Sequence, residues 1–415
     1  MRLLLVTGKG GVGKTSVAAA TAQRLARDGH RTLAMSTDPA HSLADALARR
    51  VGPVPVPVGE RLDAVQVDAR ERLAAQWSEV RGYLAALLQW GGVDAVEAEE
   101  LAVLPGLDEL LALLEVQRYV DAASHDAIVV DCAPTAETLR LLALPEALGW
   151  YLERGLGLGR PVVRALLDRV GSVPLPGDDV LAAVDRLQRA LARVRATLLD
   201  SRRTTVRLVA NPERVVVAET RRSHSVLHLF GYRVDAVVVN RMLPDGVTDP
   251  WFASWKQRQA ACLDEVRTGF AGVPVLTAEL LDDEAVGARA LDRLADDVYG
   301  AADPAAMLAD DEPLAFERVG ARTRLRMALP LVARDELDLR AGDGELVVAV
   351  GGHVRRVALP DALDGAEVVT ARLVDGVLEV DFAADRAAAA AGAEPARARS
   401  GDAAPATDPP LSRGA

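Results

Sequence analysis

Residues 5–26 read LVTGKGGVGKTSVAAATAQRLA, and the fold turns on this stretch. Upstream lies a short apolar run, RLLLVT, of the kind that forms a buried strand; downstream, 14–27 has helical spacing. Between them, Gly8-Lys9-Gly10-Gly11-Val12-Gly13-Lys14-Thr15 satisfies G-x-x-x-x-G-K-[ST] in the context that pattern requires, a strand before it and a helix after it. The glycines let successive backbone N–H groups turn inward around phosphate oxygens, reinforced by the helix N-terminus. Lys14 is expected to reach the β- and γ-phosphates and Thr15 to offer its hydroxyl to Mg²⁺. The nucleotide-binding set is therefore Gly8, Lys9, Gly10, Gly11, Val12, Gly13, Lys14, Thr15 and Ser16.

Composition bounds what surrounds this loop. A chain of 415 residues, half of them hydrophobic, has room for about two or three domains and a sizeable core. A net charge of −12 argues against nucleic acid or anionic lipid as a partner. Cys132 and Cys262 are the two cysteines, too few for a disulfide framework or a four-cysteine zinc site within one chain. No signal-peptide layout and no run of 18 apolar residues is present, so a cytoplasmic protein without stable membrane insertion is expected.

Outward from the loop, strand-like runs fall at Leu3–Thr7, Thr32–Ser36, Ala64–Val67, Ala127–Asp131, Val206–Ala210, Ala236–Asn240 and Val273–Leu276. Helical patterns occupy Lys14–Arg27, Arg214–Leu229, Trp251–Gly269 and Glu284–Tyr299. The alternation predicts an α/β fold, a doubly wound, mostly parallel sheet of the P-loop NTPase type. Leucine-rich stretches at about 70–123 and 146–201 interrupt it and read as one inserted helical subdomain. After about residue 320 the periodicity changes to two, with AGDG, GG and DG turns, which predicts a small all-β sandwich. The expected division is 1–318, 319–383 and a disordered tail at 384–415.

Two further segments carry chemistry. STDPAHSLADAL, 36–47, follows the second strand at the edge where open α/β sheets bind ligands. There Asp38 could orient or deprotonate an attacking water; the same residue would serve as a helix N-cap. IVVDCAPTAETLRLL, 128–142, ends a hydrophobic strand in Asp131, placed for a water-mediated Mg²⁺ contact, and enters a proline-containing loop suited to responding to a γ-phosphate.

With its lysine directly after the first glycine, KGGVGKT resembles the deviant Walker A ATPases. Together with STDPAHSLADAL and DCAPTAETLRLLALP it resembles the ArsA family of arsenite-pump ATPases and tail-anchored-protein-targeting ATPases over residues 1–300. The resemblance implies Mg²⁺-dependent ATP hydrolysis with Asp38, Lys9 and Lys14 catalytic. It also implies a homodimer in which Lys9 crosses to the partner's nucleotide; the plainer alternative is a solvated loop lysine. By the same likeness Glu213 in ANPERVVVAETRR sits on the ribose side, Asn240 in VVVNRMLP meets adenine, and the loop around Pro274 in VPVLTAEL closes over the base. An Asn after a buried strand is also an ordinary turn residue. The segment 336–382 resembles the α-crystallin, small-heat-shock-protein-like fold, although short alternating strands also suit a generic β-sandwich.

Several features depart from that family. The chain has one phosphate loop, and its two cysteines fall short of the three thiolates trivalent arsenic takes. DPWFASWKQRQAACL, 249–263, stands where a zinc-bridging C-x-x-C pair would be, and Ala136 and Glu137 replace the usual switch glycine and histidine. Residues 70–201 contain no methionine, so their Leu/Ala-rich helices suit an ordinary bundle as well as a groove for an apolar client. Among functions, an ATP-driven dimer cycle handling or targeting an apolar client leads. An ATPase subunit energising an anion membrane pump, and a ParA/MinD-like positioning switch, are the alternatives; the acidic charge and polar tail disfavour the latter.

Overall fold

The computed structural model describes residues 1–38, 42–67, 94, 107–133, 178–310, 312–320, 322–342, 344–363 and 365–383. Eight strands form one sheet: β1 (Arg2–Gly8), β2 (Thr32–Ser36), β3 (Val56–Gly59), β4 (Leu62–Gln66), β5 (Ala127–Asp131), β6 (Thr204–Ala210), β7 (Val234–Met242) and β8 (Val275–Glu279). Their order is β3-β4-β2-β5-β1-β6-β7-β8. Every neighbouring pair is parallel except β3 with β4. Seven helices accompany them among the described residues: α1 (Lys14–Arg27), α2 (Ser42–Leu47), α3 (Leu107–Ala122), α4 (Asp178–Leu199), α5 (Arg214–Leu229), α6 (Pro250–Gly269) and α7 (Ala288–Tyr299).

Strand periodicity builds two cores from one apolar run. Successive side chains of a strand point to opposite faces. In β1, Leu3 and Leu5 therefore join Ile128 and Val130 on one face, while Leu4 and Val6 join Val129 on the other. Helices α3, α4, α5 and α6 cover the first face through Val116, Val194, Val217 and Val266. The second is covered by α1 and α7, through Val17, Leu25, Leu291 and Leu294. Burial on both sides is why these runs are continuously hydrophobic rather than alternating.

Some boundaries differ from the sequence reading. The antiparallel edge strand β3 was not foreseen: VPVG is short, contains proline and is half exposed, as an edge allows. Helix α7 begins at Ala288 rather than Glu284, because Gly287 takes a left-handed φ of 77° immediately before it. Of the leucine-rich stretches, the described parts are α3 and α4, which lie directly on the sheet; the remainder falls outside the described residues. Pro39, Ala136, Glu137 and the expected tail at 384–415 also fall outside them.

The antiparallel β structure begins at Leu314, ahead of the expected boundary at 319, because β9 (Leu314–Val319) pairs with β10 (Arg322–Ala328). With β14 (Val368–Val374) and β15 (Val377–Phe382) these form a sheet ordered β14-β15-β10-β9. A second sheet contains β11 (Leu337–Gly342), β12 (Glu345–Val350) and β13 (His353–Ala358). Alternate residues of both sheets, including Leu325, Met327, Leu346, Val348, Leu378 and Val380, close one core between them. Leu229, the last residue of α5, is buried in that same core. Arg355 Nη1 donates to the Leu229 carbonyl at 2.5 Å, and the Ser225 hydroxyl donates to the Pro330 carbonyl. The β domain is thus seated on the C-terminal end of α5.

Candidate functional site

The parallel strands bring the sequence-predicted residues to one edge. β1, β2 and β5 are neighbours, and their C-terminal ends carry Gly8, Ser36 and Asp131. Gly8 lies against β6, where an added Cβ would collide with the Val209 carbonyl. Gly13, at φ 93°, leaves room that a Cβ would take from the Asn240 amide. Both positions depend on having no side chain. Lys14 is buried, and its Nζ donates to the Lys9 carbonyl at 3.3 Å, across the mouth of the loop. The Thr15 hydroxyl is 3.1 Å from that of Ser42.

Behind this loop lies Asp131, almost fully buried. Burial pushes its carboxyl up to about 7, against the pull of the Thr15 hydroxyl and Lys14; Asp38 pushes it the same way as burial, and Ser36 opposes. Ser36 Oγ donates to Asp131 Oδ2 at 3.4 Å, whereas Oδ1 is buried and accepts no hydrogen bond. An orphaned carboxylate oxygen beside a threonine hydroxyl and a lysine fits a divalent cation with its water shell. Asp38 is placed by its own backbone: its amide donates to Ser36 Oγ at 3.2 Å, and its carbonyl accepts from Gln66 Nε2 at 2.8 Å.

Next to the loop opens a cleft of about 580 Å³, lined by Thr15, Ser16, Asn240 and Arg241 and by residues 279–281 and 283–286. Asn240 is buried, donating from Nδ2 to the Val12 carbonyl at 2.9 Å and accepting the Arg241 amide on Oδ1 at 2.9 Å. Arg241 bends back with a φ of 62° and donates from Nη1 to the Gly11 carbonyl at 2.9 Å. Glu213 precedes α5 in the N-cap position, exposed and without a capping bond, and does not line this cleft.

Pro274 requires a correction. It precedes β8, and its carbonyl accepts the Val237 amide at 3.0 Å, at the end of the strand opposite the phosphate loop. Five strand residues separate it from the Glu279 end, about 16 Å at strand rise. The wall of the cleft is built instead by residues 279–281 and 283–286. Strand β8 ends at Glu279, beyond the expected Leu276, and this puts the following loop at the ligand edge. Ser42, Gln66 and Arg241 also border the site, beyond the residues expected from sequence. Only Ser42, at the start of a helix next to the expected loop, had a visible signal.

Lys9 does not face this cluster. Its Nζ lies 3.7 Å from Glu219 Oε2 on α5, with both side chains about one-third exposed. Among the described residues no helix is long and apolar enough to cross a membrane, and no group of three or more His, Cys, Asp or Glu could hold a metal ion.

Comparison with known proteins gives this geometry its context. A family model described as anion-transporting ATPase matches residues 1–300, and one for the HSP20-like domain found in ArsA matches residues 320–382. A protein of Chlorobaculum tepidum, provisionally named an arsenical pump-driving ATPase, is 38% identical over 92% of this chain and 96% of its own length. ATPase GET3B of Arabidopsis thaliana is 32% identical over 71% of this chain and 78% of its own. A Trypanosoma cruzi protein named as an ASNA1 ATPase homologue is 31% identical over 71% of this chain and 90% of its own. With the phosphate loop, the two carboxylates and the parallel sheet in place, the chain belongs to the ArsA family of anion-transporting ATPases and carries that family's HSP20-like domain.

Proposed function

We infer that this ATPase works as a Mg²⁺-dependent homodimer whose opening and closing handles an apolar client protein. The observation that carries the dimer is the direction of Lys9. Lys14 bridges the mouth of its own loop, but Lys9 turns away from it to Glu219 on α5, in a partly exposed contact for which a facing phosphate loop can compete. In this reading Lys14 and the loop amides hold the phosphates, and Asp38, fixed by Ser36 and Gln66, orients the attacking water. Thr15 and Asp131 would hold Mg²⁺, which when bound offsets charge on the β- and γ-phosphates. Asn240 and residues 279–286 take the nucleoside, and Glu213 approaches the ribose from outside the cleft. Two relatives with GET3 or ASNA1 names support client handling.

The dimer is tested by mixing Lys9→Ala with Asp38→Asn protein. Each homodimer lacks one catalytic element at both sites. A heterodimer has one site lacking both and one site intact, so activity should rise towards half that of the parent in the heterodimer fraction. If subunits demonstrably exchange and the mixture stays as inactive as its parts, Lys9 acts within its own chain.

The names of arsenical pump-driving relatives favour a second reading, an ATPase energising an anion pump. Cys132 and Cys262 are both buried, and burial raises both thiols above their ordinary range, away from the thiolate that arsenic binds. Arsenite should therefore leave phosphate release unchanged. Stimulation lost in Cys132→Ser or Cys262→Ser would promote the pump reading.

A further inference from the structure

We propose that Glu219 is a positioning residue that parks Lys9 on its own chain and so restrains ATP turnover until the pair opens. The inference rests on the reading of Lys9 as the cation lent to a facing nucleotide. Lys9 Nζ and Glu219 Oε2 are 3.7 Å apart. While the pair is closed, the ammonium is directed at the side of α5 and away from the phosphate loop's outer mouth. Both groups are partly exposed, so the contact is weak and water competes for it. A weak latch is what a cycling enzyme needs, since a strong one would have to be undone in every turnover.

Its position gives the latch a second input. Glu219 belongs to α5, a helix of 16 residues and about 24 Å. The far end of that helix, at Leu229, is buried in the core of the β domain. Between these points Glu219 also lines a cleft of about 570 Å³ shared by α5 and the β domain, with Arg222, Ser225, Leu331 and His353 among its walls. One rigid element therefore connects the seat of the β domain to the carboxylate that holds Lys9. A shift of α5 imposed through its β-domain end moves Glu219 relative to the phosphate loop and changes how often Lys9 is free.

The chain makes the test direct, because Lys9, Lys14 and Lys256 are its only lysines. Full-length protein and its Glu219→Gln variant are treated briefly with an amine-reactive acylating reagent, and modification at each lysine is read by peptide mass spectrometry. Lys256, whose Nζ donates to the Asp245 carbonyl on another part of the surface, is the internal standard. Losing an exposed ion pair should raise Lys9 modification about two- to fivefold, with Lys256 unchanged. Turnover at saturating Mg·ATP should rise by a similar factor with unchanged ATP affinity, and the rise should vanish when Glu219→Gln is combined with Lys9→Ala. Unchanged Lys9 modification overturns the parking contact. Greater modification without greater turnover overturns its role in catalysis, and a fall in turnover means that Glu219 assists Lys9 instead. If Lys9→Ala alone is as active as the parent, the reading of Lys9 itself fails, a result that modification of Glu219→Gln does not mimic.

Discussion

Acid should destabilise this protein through two histidines that serve no evident catalytic purpose. His224 and His228 stand one turn apart on α5, 2% and 1% exposed, with ring centroids 4.4 Å apart. None of their four ring nitrogens has a hydrogen-bond partner, Phe270 stacks on His224 at 4.7 Å, and Arg233 faces His228. Burial, then the charge of Arg233, lowers His228 from 6.5 to about 4; burial, then its neighbour His228, holds His224 well below 6.5. Because the folded values are depressed, the stability is present above pH 6.5 and is lost as pH falls from 6.5 towards 4. At pH 5 the unfolded imidazole is mostly protonated and the folded His228 ring mostly neutral, so His228 alone costs about 2 kcal/mol, and His224 acts in the same direction. Against a total of roughly 5–15 kcal/mol that is a large share.

Urea denaturation of the full chain at pH 7 and pH 5, followed by circular dichroism, measures the effect. His224→Leu/His228→Leu removes both titrating rings while keeping the site apolar. Carboxylates elsewhere contribute alike to both proteins, so the difference between their acid-induced losses isolates the pair. The double variant should lose at least about 2 kcal/mol less than the parent. Equal losses within about 0.5 kcal/mol would mean that the histidines protonate without opening the fold, and the linkage above would be wrong.

Gly13→Ala places a Cβ against the Asn240 amide at a φ of 93°, a conformation costing about 1–2 kcal/mol for a side-chain-bearing residue. ATP affinity by calorimetry should fall at least tenfold; near-parental affinity would show that the loop relaxes around the new group. Asp235→Asn removes the counter-charge of Arg207, which has no solvent exposure, and of Arg2, so denaturation should register a loss of about 3–5 kcal/mol. A loss under about 1 kcal/mol would show that Tyr299 and the Pro304 and Ala306 carbonyls, the other partners of Arg207, suffice.

What could be read in the sequence follows from how local the signal is. Continuous apolar runs and a glycine-rich turn are written in adjacent residues, which is why β2, β5, α1 and α5 fall at their expected bounds. The grouping of Asp38 and Asp131 at one edge was legible because parallel strands place all C-terminal ends together. The strand order was not. Nor was the partnership of Lys9 with Glu219, more than two hundred residues away, since an ion pair between two exposed side chains leaves no mark on either local pattern. Pro274 took its role from the family likeness and not from its strand, whose start, at the edge away from the phosphate loop, is where it lies. Arg207, inside one expected strand, and Asp235, just before another, carry no local sign of burial; only neighbouring strands make them a buried pair.

Leu229 is counted in the helix of one domain and in the core of the other, so the two cannot be parted along a clean seam. A shortened chain ending near residue 310 would leave that leucine in water at the tip of α5, with the Leu229 carbonyl deprived of Arg355. A protease cutting the link between them would yield two fragments that stay together on a sizing column. The β domain therefore acts as the cap of an ATPase helix, and losing it would expose a sticky surface on the enzyme that remains.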